Sequence, residues 1–164
     1  YKIVPEVATV LFTQVGLTRA LDEKSLQGAM RTTQTVFEDA ALKQARVTGQ
    51  CALILDRGSL DSAAFVGGLD AYCKLVGTTA QVEFERYDTI LMLGLPSREV
   101  WDKQHANNPA RTETYEEALE VELALKKVWE SHPGFVWVGD FSTWFEKREV
   151  ILAKIEEIVE RVSK

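Results

Sequence analysis

The chain has 164 residues, 46% hydrophobic and 27% charged, with 19 basic and 25 acidic side chains for a net charge of −6. This is the size and balance of one soluble globular domain with a real core, and the acidic excess argues against a dedicated nucleic-acid binder, which carries a basic face. Two histidines and two distant cysteines leave no zinc constellation, and no apolar run reaches the ~18 residues of a membrane span.

Residues 1–8 are short, β-branched and apolar, and predict a strand. Pro5 puts that strand near its end, because proline supplies no ladder donor, and Glu6 follows at once. The chain starts at Tyr1 without an initiator methionine and already inside this strand, so native residues are expected before it; no signal peptide is visible. A connection with Gly16 runs from Thr13 to Asp22. From Asp22 to Val47 the positions Leu26, Met30, Thr33, Phe37 and Ala40 step by three and four, the spacing of an amphipathic helix that Gly49 ends. Cys51–Leu55 is a uniformly apolar run, as in the buried strands of parallel sheets. A second helix is expected from Asp61 to Val76, interrupted by Gly67-Gly68 and stopped by Gly77.

Residues 87–95 predict a third strand centred on Ile90–Leu93, with Pro96 where a helix can begin. Residues 96–112 are polar and turn-rich. Thr114 with Glu117 has the spacing of a capping box, and Ala118, Val121, Leu125, Val128 and Trp129 mark one face of the helix beyond it. His132-Pro133-Gly134 ends that helix, and Phe135–Val138 predicts a fourth strand. Thr143 with Glu146 opens a last helix that carries Ile151, Ile155, Ile158 and Val162 on one side. The alternation β-α-β-α-β-α-α-β-α implies an α/β fold, a parallel sheet with helices on both faces. The whole chain, 1–164, reads as a single domain. Cys51 and Cys73 are expected to be small reduced core residues, with a cytoplasmic setting as the default.

The stretch Leu55-Asp56-Arg57-Gly58-Ser59-Leu60-Asp61 carries the most chemistry. A buried strand that stops abruptly delivers a carboxylate and a guanidinium to the sheet's carboxyl edge, where open α/β sheets bind ligands. Asp56 suits Mg²⁺ as a hard oxygen ligand, and Arg57 suits phosphate by bidentate pairing. Each has a plainer reading: Asp56 as the cap of the following helix, Arg57 in a surface ion pair. Asp61 either orients Arg57 or binds a substrate hydroxyl, or else serves as a first-turn carboxylate favoured by the helix dipole. No GxxxxGK(S/T) phosphate loop occurs in the sequence. Arg86 reads as a solvated charge, His105 and His132 as structural or exposed side chains, and Trp137 as core. Trp144 follows the loop Gly139–Thr143 and is left open.

Several segments together resemble a family of P-loop NTPases with a nucleoside-kinase-like core, which includes the TRP-channel translocation-defect proteins and, more distantly, the kinase domain of the bifunctional nicotinamide-nucleotide regulator. They are Val4-Pro5-Glu6-Val7-Ala8-Thr9-Val10-Leu11, Leu55–Phe65, Arg86-Tyr87-Asp88-Thr89-Ile90, Arg111-Thr112-Glu113 with Glu117-Ala118, Trp129-Glu130-Ser131-His132-Pro133 and Asp140–Lys147. They occur in the family's order over nearly the whole chain.

The resemblance implies Mg²⁺ with ATP or GTP, bound at Asp56 and Arg57. It implies a kinase-like lid at about 96–112 whose Arg111, and less directly Arg98, closes on phosphates. A general base acting on a substrate hydroxyl is implied at Glu6. It also implies an N-terminal strand, phosphate loop and first helix upstream of Tyr1, with that strand central in the sheet. Without it, flanking strands would expose ladder groups. Two functional classes follow: a nucleotide-dependent enzyme transferring phosphate to a small acceptor or hydrolysing NTP, or a nucleotide-regulated binding module or scaffold for a protein or phosphoinositide partner with little or no turnover.

Overall fold

The computed structural model describes residues 2–18, 20–105, 114–139, 141 and 143–162. The first strand, β1, covers only Lys2–Val4. Pro5 ends its ladder, Glu6 stays extended, and helix α1 starts at Val7, a residue 2% exposed. The strand expected to reach Ala8 is therefore cut short at the proline, and the apolar residues beyond it pack as helix. A π-helical turn, Leu11–Val15, closes on Gly16 at φ 76°.

The long helix α2, Glu23–Thr48, is capped by the Asp22 carboxylate and ends at Gly49 in the left-handed region. Its length matches the expected helix; its buried face does not. The buried residues are Gln27, Gln34, Glu38, Ala41 and Ala45, whereas Phe37 is 37% exposed. The helix turns a mainly polar stripe inward because that stripe meets polar partners, the Arg57 carbonyl and Arg86 among them.

Strand β2, Leu53–Leu55, is half-buried. A 3₁₀ turn, Asp61–Phe65, leads to α3, Leu69–Val76, and the break between them falls at Gly67 and Gly68, both with positive φ, as the glycine pair predicts. A short helix absent from the sequence reading, α4, spans Ala80–Phe84 behind a Thr79 cap. Then follow β3, Ile90–Leu93, α5, Arg98–His105, α6, Tyr115–Trp129, β4, Phe135–Val138, and α7, Trp144–Val162. The Thr114–Glu117 capping box forms with both of its reciprocal bonds. Part of the supposed turn-rich lid is helical: α5 buries Trp101, which packs edge-on against Tyr115 with ring centroids 5.7 Å apart.

All strand pairing among the described residues is parallel. β1 pairs with β2, Val4 opposite Leu55, and β3 pairs with β4, Leu93 opposite Val138. The fold is thus mixed α/β with small parallel sheets, as the alternation predicts. The sheet is nevertheless split: β2 and β3 are not paired with each other.

Leu60, Ala63, Tyr72, Cys73, Val128 and Trp129 form the core, with Phe84, Tyr87, Ile90 and Phe135 packed around. Cys73 is buried there as expected, but Cys51 is exposed, because β2 begins two residues after it. Trp137 also departs from the core reading. It is 37% exposed, lying over Gly94 and Gly139 with the Lys126 ammonium 5.0 Å from its ring centre.

One glycine is fixed by close approach. A Cβ on Gly134 would lie 2.2 Å from the backbone oxygen of Asp88, which cannot move aside as a side chain can. Gly134→Ala is expected to cost about 3 kcal/mol of folding stability, read by urea unfolding, since overpacking against backbone sits at the upper end of the usual range.

Candidate functional site

The carboxyl ends of β1 and β2 build the site. The Asp56 N–H donates to the Val4 carbonyl at 2.9 Å, carrying the ladder one residue past Leu55. The two chains then part, one at Pro5-Glu6 and the other at Arg57. This brings Glu6, Asp56, Arg57 and Asp61 to one edge, the grouping that the sequence suggested.

Arg57 stands between two carboxylates. Its Nε lies 3.6 Å from Glu6 Oε1 and its Nη1 3.6 Å from Asp61 Oδ2, with half of its side chain exposed. These distances are long for hydrogen bonds, and at this exposure each pair contributes only a fraction of a kcal/mol. The guanidinium is held loosely enough for an incoming anion to take it over.

Asp56 is exposed. It caps no helix among the described residues, since the 3₁₀ turn opens after Leu60 without a side-chain cap. Asp61 is tied down more firmly. Its Oδ1 accepts the Trp129 indole N–H at 2.8 Å. Burial pushes its carboxyl above the usual range, and the Arg57 charge and the indole hydrogen bond oppose that only in part. Glu6 accepts the Thr9 hydroxyl at 2.6 Å.

The loop between Asp56 and Asp61 is fixed from beneath by groups that sequence reasoning did not single out. Tyr72 donates to the Ser59 carbonyl at 2.7 Å, and the Ser59 hydroxyl donates to Glu83 Oε2 at 2.6 Å. Gly58 lies against the Trp129 ring, where a Cβ would approach to 2.8 Å. Glu83 is fully buried and also accepts from Thr78 at 2.7 Å and from the Arg31 guanidinium. Burial pushes the Glu83 carboxyl up, but hydrogen bonds from Ser59, Thr78 and Arg31 outweigh it and hold the group below the usual carboxylate range. The one available signal was the polar helical spacing Gln27, Arg31, Gln34, Glu38 on α2, which runs alongside the apolar spacing and was hidden by it.

Other sequence candidates lie elsewhere. Arg111 falls outside the described residues, as does the His105 side chain. Arg98 pairs with Glu116 and, at 3.4 Å, with Asp102, and lies over the Tyr115 ring. Arg86, expected to be solvated, is instead half-buried. It donates to Glu38 at 2.8 Å and to Asp39 at 2.9 Å, because the polar face of α2 supplies acceptors there. His132 is buried and structural: its Nε2 faces the Tyr87 and Phe84 carbonyls and its Nδ1 accepts the Gly134 N–H, which places the ring hydrogen on Nε2. Trp144 is 60% exposed. Thr143 does accept the Glu146 N–H at 3.2 Å, as its spacing suggested.

Among the described residues no cluster of three or more His, Cys, Asp or Glu side chains is placed to hold a metal ion. A divalent cation held mainly by protein is therefore not supported. The donor set does suit Mg²⁺ bound through one carboxylate, with phosphate oxygens and water completing the shell, the usual manner for this ion. Asp56 is an exposed carboxylate at that edge.

Among the described residues no helix is long and apolar enough to cross a membrane. A family model described as an AAA domain matches residues 1–148. No curated protein and no solved structure matches the chain.

Proposed function

Because the chain belongs to the AAA domain family, we propose that it binds a magnesium–nucleotide complex, ATP or GTP, at the carboxyl edge of β1 and β2. Membership supports a nucleotide-binding, P-loop-like domain in general; the metal, the choice of nucleotide and any turnover are our reading. The observation that carries it is the convergence of exposed Asp56, loosely paired Arg57 and Glu6 past adjacent parallel strands.

In this reading Asp56 holds Mg²⁺, whose chemistry when bound is to neutralise phosphate charge. Arg57 leaves its two distant carboxylates and pairs with phosphate oxygens, gaining the short charge-assisted bonds it lacks without ligand. Glu6, released from Arg57, takes a proton from an acceptor hydroxyl or water. Asp61 orients Arg57 or meets a substrate hydroxyl, and Arg111 adds positive charge from the lid at about 96–112. The unpaired edges of the two-stranded sheets fit an upstream strand and phosphate loop between them. The nucleoside-kinase-like resemblance favours small acceptors. The free cysteines suit a reducing, cytoplasmic setting.

A second reading has an observation of its own. One groove is lined by Asp88, Gly134, Lys154 and Arg161, and another by Val4, Pro5, Phe37 and Ala40. Neither borders Asp56, Arg57 or Asp61. Grooves of this kind, away from Asp56 and Arg57, would suit a nucleotide-regulated binding module for a protein or phosphoinositide partner.

Phosphate release and transfer by the full-length protein, beside Arg57→Ala, separate the two. If the chain is an enzyme, Arg57→Ala lowers turnover at least about 100-fold, the usual loss when a charge-stabilising donor is removed, and weakens nucleotide affinity about tenfold through the lost charge-assisted bonds. Tight nucleotide binding without wild-type turnover selects the module.

A further inference from the structure

Arg57 is the one non-glycine residue among those described whose backbone lies in the left-handed region, at φ 75°. Such a conformation persists only where its surroundings over-determine it. Two hydrogen bonds from outside the loop do this on either side of Gly58. Gln34 Nε2 donates to the Arg57 carbonyl at 3.3 Å, and the Tyr87 hydroxyl accepts the Ser59 N–H at 2.7 Å.

Both clamping groups also meet one carboxylate oxygen. Glu38 Oε1 accepts from Gln34 Nε2 at 2.8 Å and from the Tyr87 hydroxyl at 2.9 Å, while Oε2 accepts from Arg86 at 2.8 Å. An ionised carboxylate only accepts. The Gln34 group that faces it must therefore be the NH₂, whose second hydrogen is left for the Arg57 carbonyl. The phenol must likewise spend its hydrogen on Glu38, which leaves its lone pairs for the Ser59 N–H. The Glu38 side chain is 6% exposed, so water does not substitute for it.

We propose that Glu38 is a positioning residue. It orients Gln34 and Tyr87 so that they hold the peptide groups flanking Gly58, and so fixes the backbone from which Asp56 and Arg57 project. The role rests on the reading that those two side chains take a magnesium–nucleotide.

The test compares Glu38→Met with Ile155→Ala, a packing loss on α7, in the full-length protein. Two quantities are read: hydrogen exchange at the Ser59 amide without ligand, and Mg-ATP and Mg-GTP affinity. After correction for global stability, Glu38→Met is expected to speed Ser59 exchange about tenfold and to weaken nucleotide binding about tenfold, the low end for losing an outer partner of a metal site. Ile155→Ala changes neither. Should Glu38→Met not fold, Tyr87→Phe, which removes the hydroxyl between Glu38 and the Ser59 N–H, takes its place. Exchange and affinity that only follow global stability in both variants overturn the proposal. A wild-type protein that binds no nucleotide overturns the ligand reading instead, and Ser59 exchange then decides the clamp by itself.

Discussion

Asp56→Asn is expected to weaken Mg²⁺-dependent nucleotide binding at least tenfold, about 1.4 kcal/mol, while leaving folding stability nearly unchanged. The two halves of that expectation come from the same geometry. Asp56 is exposed and caps no helix among the described residues, so folding gains little from its charge. Its backbone N–H, by contrast, bonds to Val4 and survives the substitution. An amide oxygen remains a weak ligand for a hard cation but brings no negative charge, so the loss belongs to the metal-dependent part of the affinity. Binding measured in EDTA should therefore be alike for the two proteins. An Asp56→Asn protein with unchanged affinity but lower stability would return Asp56 to a purely structural role.

The second large effect concerns stability. Glu83→Ala is expected to cost about 3 kcal/mol, read by urea unfolding at pH 7. Removing one partner of a buried ion pair leaves the other without compensation, and this is the low end of the usual loss. The low end applies because a quarter of the Arg31 side chain is exposed and can be partly rehydrated. The Ser59 and Thr78 hydroxyls lose their acceptor in the same variant.

The pH dependence has a definite sign. The folded Glu83 carboxyl titrates below its unfolded value, which is about 4.3, so its contribution is present above that value and is lost as pH falls through the lower folded one. Between pH 5 and 3 the wild-type protein should lose more stability than Glu83→Ala. Parallel curves over that interval would show that Glu83 is not held ionised by its partners.

The elements that can be read from the sequence are those decided locally. Phe135–Val138 is a strand with the expected ends because Gly134 and Gly139 bracket four apolar residues. Thr114 and Glu117 close their capping box within one turn, and Gly67-Gly68 breaks a helix because no other residue pair adopts those dihedrals so readily. The carboxyl-edge cluster of Glu6, Asp56, Arg57 and Asp61 is also visible, since parallel strands with Asp-Arg and Pro-Glu at their ends must bring those groups together.

What the sequence hides are the non-local partners. Gln34 and Glu38 look like solvent-facing residues of an amphipathic helix until Tyr87, Arg86 and the Arg57 peptide arrive from 23 to 49 residues away to satisfy them. Glu83 sits in a helix of five residues, too short to show a period. The fully buried Tyr72 looks like simple core, and only its bond to the Ser59 carbonyl shows that it also supports the site.

The most direct test is calorimetric titration of the full-length protein with ATP and with GTP, each in Mg²⁺ and in EDTA, with Asp56→Asn as the control. Micromolar binding that needs Mg²⁺ and falls at least tenfold in the variant is the predicted result. Absence of binding by either nucleotide in Mg²⁺, from protein that is folded, would contradict the central claim.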